Sequence, residues 1–300
     1  MMEGVVLPIP TPFDEKGSLF INGYKNYLDF LIEKGVNGFM VGGTNGEFHV
    51  MDTEERKRFL EFVVRNYKGK VKIIAHVGTT YKGKTLELLE HAISLNVDAV
   101  SIVSPYYFKY DDESLIDYFS EVASAFSSAK ILLYNIPSFS GNILKLKTII
   151  KIKERAENVF GLKDTDERPW IVPMIKKELG EEFCVFGGMD SFALSYLANG
   201  ADGLITGTGN VFPELMVNLY KNWKEGNIEK AKKLQILLMK AIDNVSGQKA
   251  FMVTIKEALR IRGYDVGYPR SPWRKLKDEE LKELKEFVEG FLKEISKIID

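Results

Sequence analysis

A lysine and a tyrosine close two apolar segments of this sequence. Lys163 directly follows the apolar run 159–162, and Tyr134 ends the run 131–134. Such runs are typical of buried strands. An apolar interior favours the neutral amine of a lysine, which can attack a carbonyl carbon, and a nearby phenol can carry protons. The pair therefore predicts Schiff-base chemistry on a carbonyl substrate, with Lys163 as the nucleophile.

Two glycine-containing turns could hold an anionic group of that substrate. The first, residues 42–47 (GGTNGE), offers backbone amides and the Thr44 hydroxyl to a carboxylate or a phosphate. A tight turn without a ligand is the alternative. The second turn, residues 207–210 (GTGN), resembles the phosphate site of many barrel enzymes. A phosphorylated substrate therefore stays open.

Other chemistries have little support in the sequence. For Lys163 the alternative is an ion pair with a neighbouring acid. The three histidines, His49, His76 and His91, do not match HExxH or a cysteine-containing metal motif, and neither GxGxxG nor GxxxxGK[ST] occurs. We expect His76 to be a satisfied structural histidine, although it could line the site. No metal and no cofactor are expected, because the imine at Lys163 would itself carry the reaction.

The elements that must position these residues are short apolar runs separated by amphipathic segments. Runs that are apolar at nearly every position suit parallel strands buried on both faces. Eight of them predict an α/β fold, a TIM (β/α)8 barrel, whose reactive groups lie at the C-terminal ends of the strands. The runs are 5–9, 38–41, 71–75, 99–103, 131–134, 159–162, 183–186 and 203–206.

The strand pattern stops after the eighth run. Helical segments follow at about 213–224, 228–244, 251–262 and 278–299. The first would close the barrel and the others would form a C-terminal helical appendix. We therefore divide the chain into a barrel with the active site, residues 1–225, and a helical extension, residues 226–300. Asp52 and Glu55 have the spacing of a capping box and predict the start of the second helix.

Composition excludes several classes of function. With 41 basic and 42 acidic residues, the chain has no excess charge to bind nucleic acid or an anionic membrane. The single cysteine, Cys184, lies in an apolar run and cannot form an intramolecular disulfide. The sequence contains no run of about 18 apolar residues and no basic segment before its first apolar stretch. We expect a cytoplasmic enzyme that acts on small molecules.

Five motifs at the strand ends resemble those of one family. They are GTNGE at 43–47, PYY at 105–107, YNIPSxSG at 134–141, GLKDT at 161–165 and GxD at 188–190. In this order they resemble the dihydrodipicolinate synthase and N-acetylneuraminate lyase family, and the similarity runs essentially from end to end. The resemblance implies a class I aldolase or related lyase, usually a tetramer, that forms a covalent imine with pyruvate.

The resemblance also implies roles for individual residues. Lys163 would form the imine, Tyr134 would shuttle protons, and Thr44 would link Tyr134 to Tyr107 of a neighbouring subunit. Asn45 replaces a hydroxyl residue of the family, so its amide would help to hold the pyruvate carboxylate. The catalytic set is Lys163, Tyr134, Thr44 and Tyr107. The substrate-binding set is Thr44, Asn45, Thr165, Gly188, Asp190 and Ile205.

The aromatic pair at Tyr106 and Tyr107 bears on assembly. Both residues follow Pro105 on the loop after the fourth strand and would expose much aromatic surface on a lone monomer. This surface indicates an assembly of at least two subunits, and the resemblance implies a homotetramer, a dimer of dimers, in which Tyr107 enters the active site of an adjacent subunit. The alternative is that Tyr107 packs on its own barrel.

Position 139 separates the possible activities. Dihydrodipicolinate synthases typically carry an arginine there, whereas this chain has Phe139, which cannot form a bidentate pair with a carboxylate. The segments 163–165 (KDT) and 263–270 look like those of archaeal 2-keto-3-deoxygluconate aldolases, and Thr165 and Asp190 could bind sugar hydroxyls. We predict reversible cleavage of a 2-keto-3-deoxy sugar acid, possibly phosphorylated, to pyruvate and an aldehyde.

Four alternatives stay open. Three are activities within the family: 4-hydroxy-tetrahydrodipicolinate (dihydrodipicolinate) synthase, 4-hydroxy-2-oxoglutarate aldolase and N-acetylneuraminate lyase. The sequence after Asp190 lacks the acidic residue typical of sialic acid lyases, which places that activity lower. The fourth, from a different class, is a non-catalytic protein that binds 2-oxo acids on the same barrel. The intact set of Thr44, Tyr107 and Tyr134 argues against it.

Overall fold

Eight parallel strands form a closed barrel in chain order, and β1 pairs with β8 to complete it. The computed structural model describes residues 2–21, 23–247 and 250–299. The predicted TIM barrel is confirmed. The strands are β1 (Gly4–Pro8), β2 (Gly38–Val41), β3 (Lys72–His76), β4 (Ala99–Val103), β5 (Ile131–Asn135), β6 (Val159–Asp164), β7 (Cys184–Gly187) and β8 (Gly203–Ile205).

The strands are buried on both faces, which explains their apolar sequences. Alternate residues point into the barrel, and the register places Tyr134 of β5 directly opposite Lys163 of β6. Gly161, two residues before Lys163, lies so close to β7 that a Cβ atom there would be 2.4 Å from the carbonyl oxygen of Cys184. The glycine therefore lets these two strands approach under the lysine.

Nine helices precede the C-terminal extension in the described ranges, and most of them connect consecutive strands. The predicted capping box is confirmed, because the Asp52 carboxylate accepts from the Glu55 N–H and the Glu55 carboxylate accepts from the Asp52 N–H. The helices are α1 (Tyr24–Glu33), α2 (Thr53–Tyr67), α3 (Lys82–Ser94), α4 (Asp112–Ser124), α5 (Pro137–Ser140), α6 (Leu146–Arg155), α7 (Ile171–Leu179), α8 (Ala193–Ala198) and α9 (Pro213–Lys224).

The C-terminal extension consists of α10 (Ile228–Ala241), α11 (Phe251–Ile261) and α12 (Asp278–Ile299). The helix predicted to end near residue 244 instead changes at Ala241 into a π-helical turn that runs to Ser246. The apolar stripe of α12 packs on the barrel side, where the Phe291 ring lies 5.0 Å from that of Phe212. The division at residue 225 stays a prediction, since barrel helices and extension share one hydrophobic core. None of the described helices is long and apolar enough to cross a membrane.

Candidate active site

The Lys163 side chain lies inside the barrel near the C-terminal ends of the strands and is only 3% exposed. Its Nζ atom is 3.9 Å from the centre of the Tyr134 ring and 4.0 Å from the sulfur of Met40. Among the described residues it forms no ion pair with a carboxylate. The ion-pair alternative for Lys163 is therefore wrong, and its role as the nucleophile stays a prediction.

The phenol of Tyr134 is buried beside this amine and contacts the turn after β2. Its hydroxyl is 3.1 Å from Oγ1 of Thr44, and either oxygen can donate the hydrogen bond. Tyr134 lies on β5, next to β6, so the barrel register fixes amine and phenol relative to one another. Thr44 comes from a separate loop, so this hydrogen bond depends on how that loop is held.

A cavity of about 290 Å³ opens above these residues. Its lining includes every residue of the predicted site except Tyr107: Thr44, Asn45, Tyr134, Lys163, Thr165, Gly188, Asp190 and Ile205. Gly188 leaves room for its neighbours, because a Cβ atom there would lie 2.0 Å from Oγ1 of Thr165 and 3.0 Å from Cε of Lys163. A larger residue at this position would displace the Thr165 side chain.

Three polar atoms at this cavity are buried without a protein partner among the described residues: Nδ2 of Asn45, Oγ1 of Thr165 and Oδ1 of Asp190. Burial raises the pKa of the Asp190 carboxyl from 3.8 to about 6, although the N–H of Gly207 and the charge of Lys163 act in the opposite direction. Unpaired polar atoms of both kinds, donor and acceptor, suit a ligand that carries hydroxyl groups.

Several lining residues were not foreseen. The extension folds over the mouth and contributes Ile242, Ser246, Phe251 and Ile255 to the lining. These residues lie more than 30 positions after the last strand, and all except Ser246 fall in segments with the pattern of ordinary amphipathic helices. No local pattern marks them, because only the packing of α10 and α11 against the barrel brings them to the cavity.

Phe139 stands at the position where dihydrodipicolinate synthases typically carry an arginine. Its side chain is 62% exposed and lies between two cavities. The second cavity, of about 360 Å³, shares Thr44 and Phe139 with the first and is otherwise mostly apolar, with Phe48 and Trp273 in its lining. Lys163 is the only lysine or arginine among the described residues that line either cavity. No guanidinium therefore takes the place of the missing arginine.

Tyr107 is the one predicted catalytic residue that a single chain does not bring to the cavity. Its side chain is 88% exposed, its ring packs on Phe108, and its φ of 87° lies in the left-handed region. Tyr107 therefore does not pack on its own barrel core. Its insertion into a neighbouring subunit stays a prediction. Tyr106, by contrast, lines the second cavity.

The side chains of Thr208 and Asn210, in the turn at 207–210, are held by other parts of the protein. The Asn210 side chain accepts from the hydroxyl of Tyr27 at 2.8 Å and donates to the Pro8 carbonyl at 3.0 Å. Oγ1 of Thr208 lies 2.6 Å from the hydroxyl of Ser246. Both side chains are therefore engaged within the protein and are not available to a phosphate, and phosphorylation of the substrate stays an open alternative.

The histidines take different places. His76 is buried in the barrel with its ring centre 5.9 Å from that of Tyr134, and it does not line the lysine cavity. Neither of its ring nitrogens has a hydrogen-bond partner among the described residues, so the expectation of a satisfied structural histidine is wrong. Burial, with Arg56 and Lys163 nearby, holds its pKa well below the usual value, so the ring is neutral. His91 lies on α3, with Nε2 2.9 Å from Glu61. The described residues contain no group of three or more His, Cys, Asp and Glu that could hold a metal ion.

A buried polar network that the sequence did not reveal supports Lys163 from outside the barrel. The carboxylate of Asp164, the next residue, points away from the cavity and is fully buried. It accepts hydrogen bonds from Asn135 at 2.7 Å, Arg168 at 2.9 Å and the Tyr196 hydroxyl at 2.7 Å. Because these partners come from β5, the loop after β6 and α8, the network fixes the strand end that carries the lysine.

The barrel with its buried lysine and tyrosine is the architecture of a class I aldolase. The chain belongs to the dihydrodipicolinate synthetase family, whose sequence pattern matches residues 1–290. Family members are class I aldolases and related lyases, and this chain is an enzyme of that class. The family resemblance seen in the motifs is confirmed.

Individual relatives carry different activities in their names. The chain is 34% identical over 284 residues to the 4-hydroxy-tetrahydrodipicolinate synthase of Methanopyrus kandleri, covering 94% of each protein. It is 31% identical to YagE of Escherichia coli, named a putative 2-dehydro-3-deoxy-D-gluconate aldolase, over 95% of this chain and 96% of YagE.

Solved structures show the same fold. The crystal structure of YagE in complex with pyruvate matches with a TM-score of 0.91 and 29% identity, over 97% of this chain and 99% of that one. The structure of a catalytic lysine mutant of the Ruminococcus gnavus sialic acid aldolase also gives 0.91, at 28% identity, over 98% of this chain and 97% of that one.

Replacing Asp190 by asparagine tests the environment of this carboxyl. Because its pKa is raised, the folded protein holds a proton between pH 3.8 and about 6 that the unfolded chain has released. Ionised Asp190 therefore opposes folding most at pH 7, and less as the pH falls through 6. Between pH 7 and 5 we expect wild type to gain about 1 kcal/mol of unfolding free energy relative to Asp190→Asn, measured with urea. A difference that is constant with pH would contradict the raised pKa.

Proposed function

We propose that the enzyme reversibly cleaves a 2-keto-3-deoxy sugar acid to pyruvate and an aldehyde through an imine at Lys163. The observation that carries this proposal is the buried amine of Lys163, which has no acidic partner among the described residues and lies 3.9 Å from the Tyr134 ring, whose hydroxyl contacts Thr44. The complex of YagE with pyruvate and the catalytic lysine of the sialic acid aldolase support the same chemistry here. No cofactor is needed for it.

The steps balance with these residues alone. The amine of Lys163 adds to the C2 carbonyl of the substrate, and water leaves as the iminium forms. Tyr134 gives its phenolic proton to the hydroxyl that leaves as this water, and the resulting phenolate, with the Thr44 hydroxyl donating to it, then takes the proton of the C4 hydroxyl. The C3–C4 bond breaks, its electrons pass into the iminium to give an enamine, and the aldehyde departs. Protonation at C3 and hydrolysis of the imine release pyruvate and restore the amine.

The polar side chains that line the cavity favour a substrate in which the part released as the aldehyde carries hydroxyl groups. Asn45 would hold the pyruvate carboxylate through its amide, helped by Thr44, and the Ile205 carbonyl would face pyruvate. Thr165 and Asp190, each with a buried unpaired oxygen, would bind hydroxyl groups of the sugar chain. The name of YagE, a putative aldolase for such a sugar acid, points the same way. Since the described residues of the cavity lining include no cation besides Lys163, we propose a substrate without a phosphate.

Synthesis of 4-hydroxy-tetrahydrodipicolinate is the second candidate. The Methanopyrus kandleri relative that bears this name is 34% identical, slightly more than YagE. Against it stands Phe139, since the described lining offers no arginine to bind the carboxylate of aspartate semialdehyde. The aldolase of 4-hydroxy-2-oxoglutarate and the lyase of N-acetylneuraminate remain further alternatives at the same site.

A substrate comparison tests the proposed activity. We expect kcat/KM for 2-keto-3-deoxygluconate to exceed, by about tenfold or more, that for 4-hydroxy-2-oxoglutarate, for pyruvate with aspartate semialdehyde, and for N-acetylneuraminate. Lys163→Ala should be inactive on all four. A dominant rate with aspartate semialdehyde would contradict the proposed substrate. Pyruvate binding without turnover of any compound would instead indicate a non-catalytic binding protein.

We further propose that the enzyme is a cytoplasmic homotetramer, a dimer of dimers, in which Tyr107 completes the neighbouring active site. Its exposed ring and its left-handed backbone are held by the loop beside Pro105, whose carbonyl accepts from Asn142. A non-glycine residue in that conformation is strained, and such strain is concentrated at functional positions. In the neighbouring subunit, the Tyr107 hydroxyl would extend the hydrogen bonds of Thr44 and Tyr134.

Mixing two variants with defective active sites tests this assembly. Tyr107→Phe removes the hydroxyl but keeps the ring, so we expect lower turnover with unchanged oligomeric state. Combined with Lys163→Ala, it should regain activity, because mixed tetramers contain sites with an intact lysine and an intact neighbouring tyrosine. Sizing chromatography and steady-state rates provide the measurements. Full activity of a monomer, or no recovery despite verified subunit exchange, would rule out the arrangement.

A further inference from the structure

A fully buried ion pair joins the C-terminal extension to the turn that carries Thr44. Nζ of Lys256, on α11, lies 2.7 Å from Oε1 of Glu47, the last residue of the GGTNGE turn. Both side chains are 0% exposed, although 209 positions separate them in the sequence. An isolated charge at such depth is strongly unfavourable, so each member of the pair requires the other.

The remaining hydrogen-bonding groups of the pair are also satisfied. Lys256 Nζ donates to the carbonyls of Thr11 at 2.7 Å and Tyr268 at 2.8 Å, which uses all three of its donors. Oε2 of Glu47 accepts from the backbone N–H of Arg270 at 3.1 Å. The pair of Lys256 and Glu47, with these hydrogen bonds, therefore joins the start of the barrel, the turn after β2 and the extension, and we call it the junction.

The junction acts on the backbone of the turn. Glu47 has a φ of 55°, a left-handed conformation that is uncommon for a residue other than glycine. In this conformation its N–H donates to the carbonyl of Thr44 at 3.0 Å. The preceding carbonyl, of Gly46, accepts from the Thr11 hydroxyl at 2.6 Å. The turn is thus closed on Thr44, whose own hydroxyl meets the phenol of Tyr134.

We propose that Glu47 and Lys256 are positioning residues, through which the C-terminal extension holds Thr44 in hydrogen-bonding contact with Tyr134. The inference rests on the proposed function in one respect, that Tyr134 carries protons at the imine. Neither residue of the pair lines the cavity, so their effect passes through Thr44. The extension is in this sense a part of the catalytic apparatus.

The charge on Lys256, and with it the ion pair at the junction, depends on pH. Burial lowers the pKa of Lys256 to about 8, opposed by Glu47 and assisted by the charges of Arg260 and Arg270. Below pH 8 the ammonium is present and the pair is intact. As the pH rises through 8 the amine loses its proton, so the hold on Glu47, and with it on Thr44, weakens.

The decisive experiment uses a reaction that does not depend on the aldehyde. With pyruvate alone in D2O, imine and enamine formation replace the methyl hydrogens by deuterium, which NMR follows directly. At saturating pyruvate we expect Glu47→Gln to lower this exchange by about tenfold or more, since small displacements of catalytic groups cost one to two orders of magnitude. A glutamine side chain has one acceptor oxygen, whereas the Glu47 carboxylate has two. Either Lys256 or the Arg270 N–H therefore loses its hydrogen-bond partner. Borohydride should still trap the pyruvate imine.

A matched control is the ion pair at the C-terminal end of α11, the helix that carries Lys256. Glu214 on α9 forms a largely buried ion pair with Arg262, which follows α11, with Nη2 and Oε1 2.6 Å apart. This pair does not contact the turn. Glu214→Gln makes the same chemical change, and we expect exchange within about twofold of wild type, even where the two variants lose similar thermal stability.

A double-mutant cycle separates positioning from general destabilisation. In a Thr44→Val background, which lacks the hydroxyl, Glu47→Gln should change the exchange rate less than twofold. Independent, multiplicative losses would overturn the proposal, as would wild-type exchange in Glu47→Gln itself. If Glu47→Gln does not fold, the pH profile decides: exchange should fall above pH 8 in wild type and not in Thr44→Val, and equal falls would overturn it. A wild type that neither traps pyruvate nor exchanges its hydrogens would instead refute the proposed function.

Discussion

The site depends on the buried amine of Lys163, which has no carboxylate partner in the part of the chain that the structure describes. Strand β6 brings Lys163 into the barrel, and the neighbouring strand places the Tyr134 ring 3.9 Å from its nitrogen. A buried carboxylate beside the amine would pair with it and block its reaction. Here the adjacent carboxylate, Asp164, is instead turned outward and bound by Arg168 and Tyr196. Because successive side chains of a strand point to opposite faces, the Lys163 amine and the Asp164 carboxylate lie on opposite sides of β6.

Around this pair, parts of the chain that are far apart in sequence form one cavity. The barrel provides the amine, the phenol and the buried polar atoms of Thr165 and Asp190. The extension provides the apolar cover and, through the buried pair of Lys256 and Glu47, a support for the turn after β2. The strands therefore fix Lys163 and Tyr134, and in the proposed account the extension fixes the turn after β2, which carries Thr44.

Much of this architecture follows from local sequence. The eight runs predict the barrel because parallel strands buried on both faces must be apolar throughout. Lys163 and Tyr134 could be placed because strand ends face one mouth. The cover by Phe251 and the pair of Lys256 with Glu47 could not be predicted, since helical periodicity reveals an apolar face but not its partner. Tyr107 marks a similar limit, because its contacts would lie in another subunit.

Trapping of the imine tests the central claim most directly. Pyruvate and sodium borohydride, added to the wild-type enzyme, should give one stable adduct on the peptide that contains Lys163, detected by mass spectrometry. The adduct should be absent from Lys163→Ala and present in Tyr134→Phe, because the phenol moves protons but does not form the covalent bond. No adduct in wild type, or equal trapping in Lys163→Ala, would contradict the account.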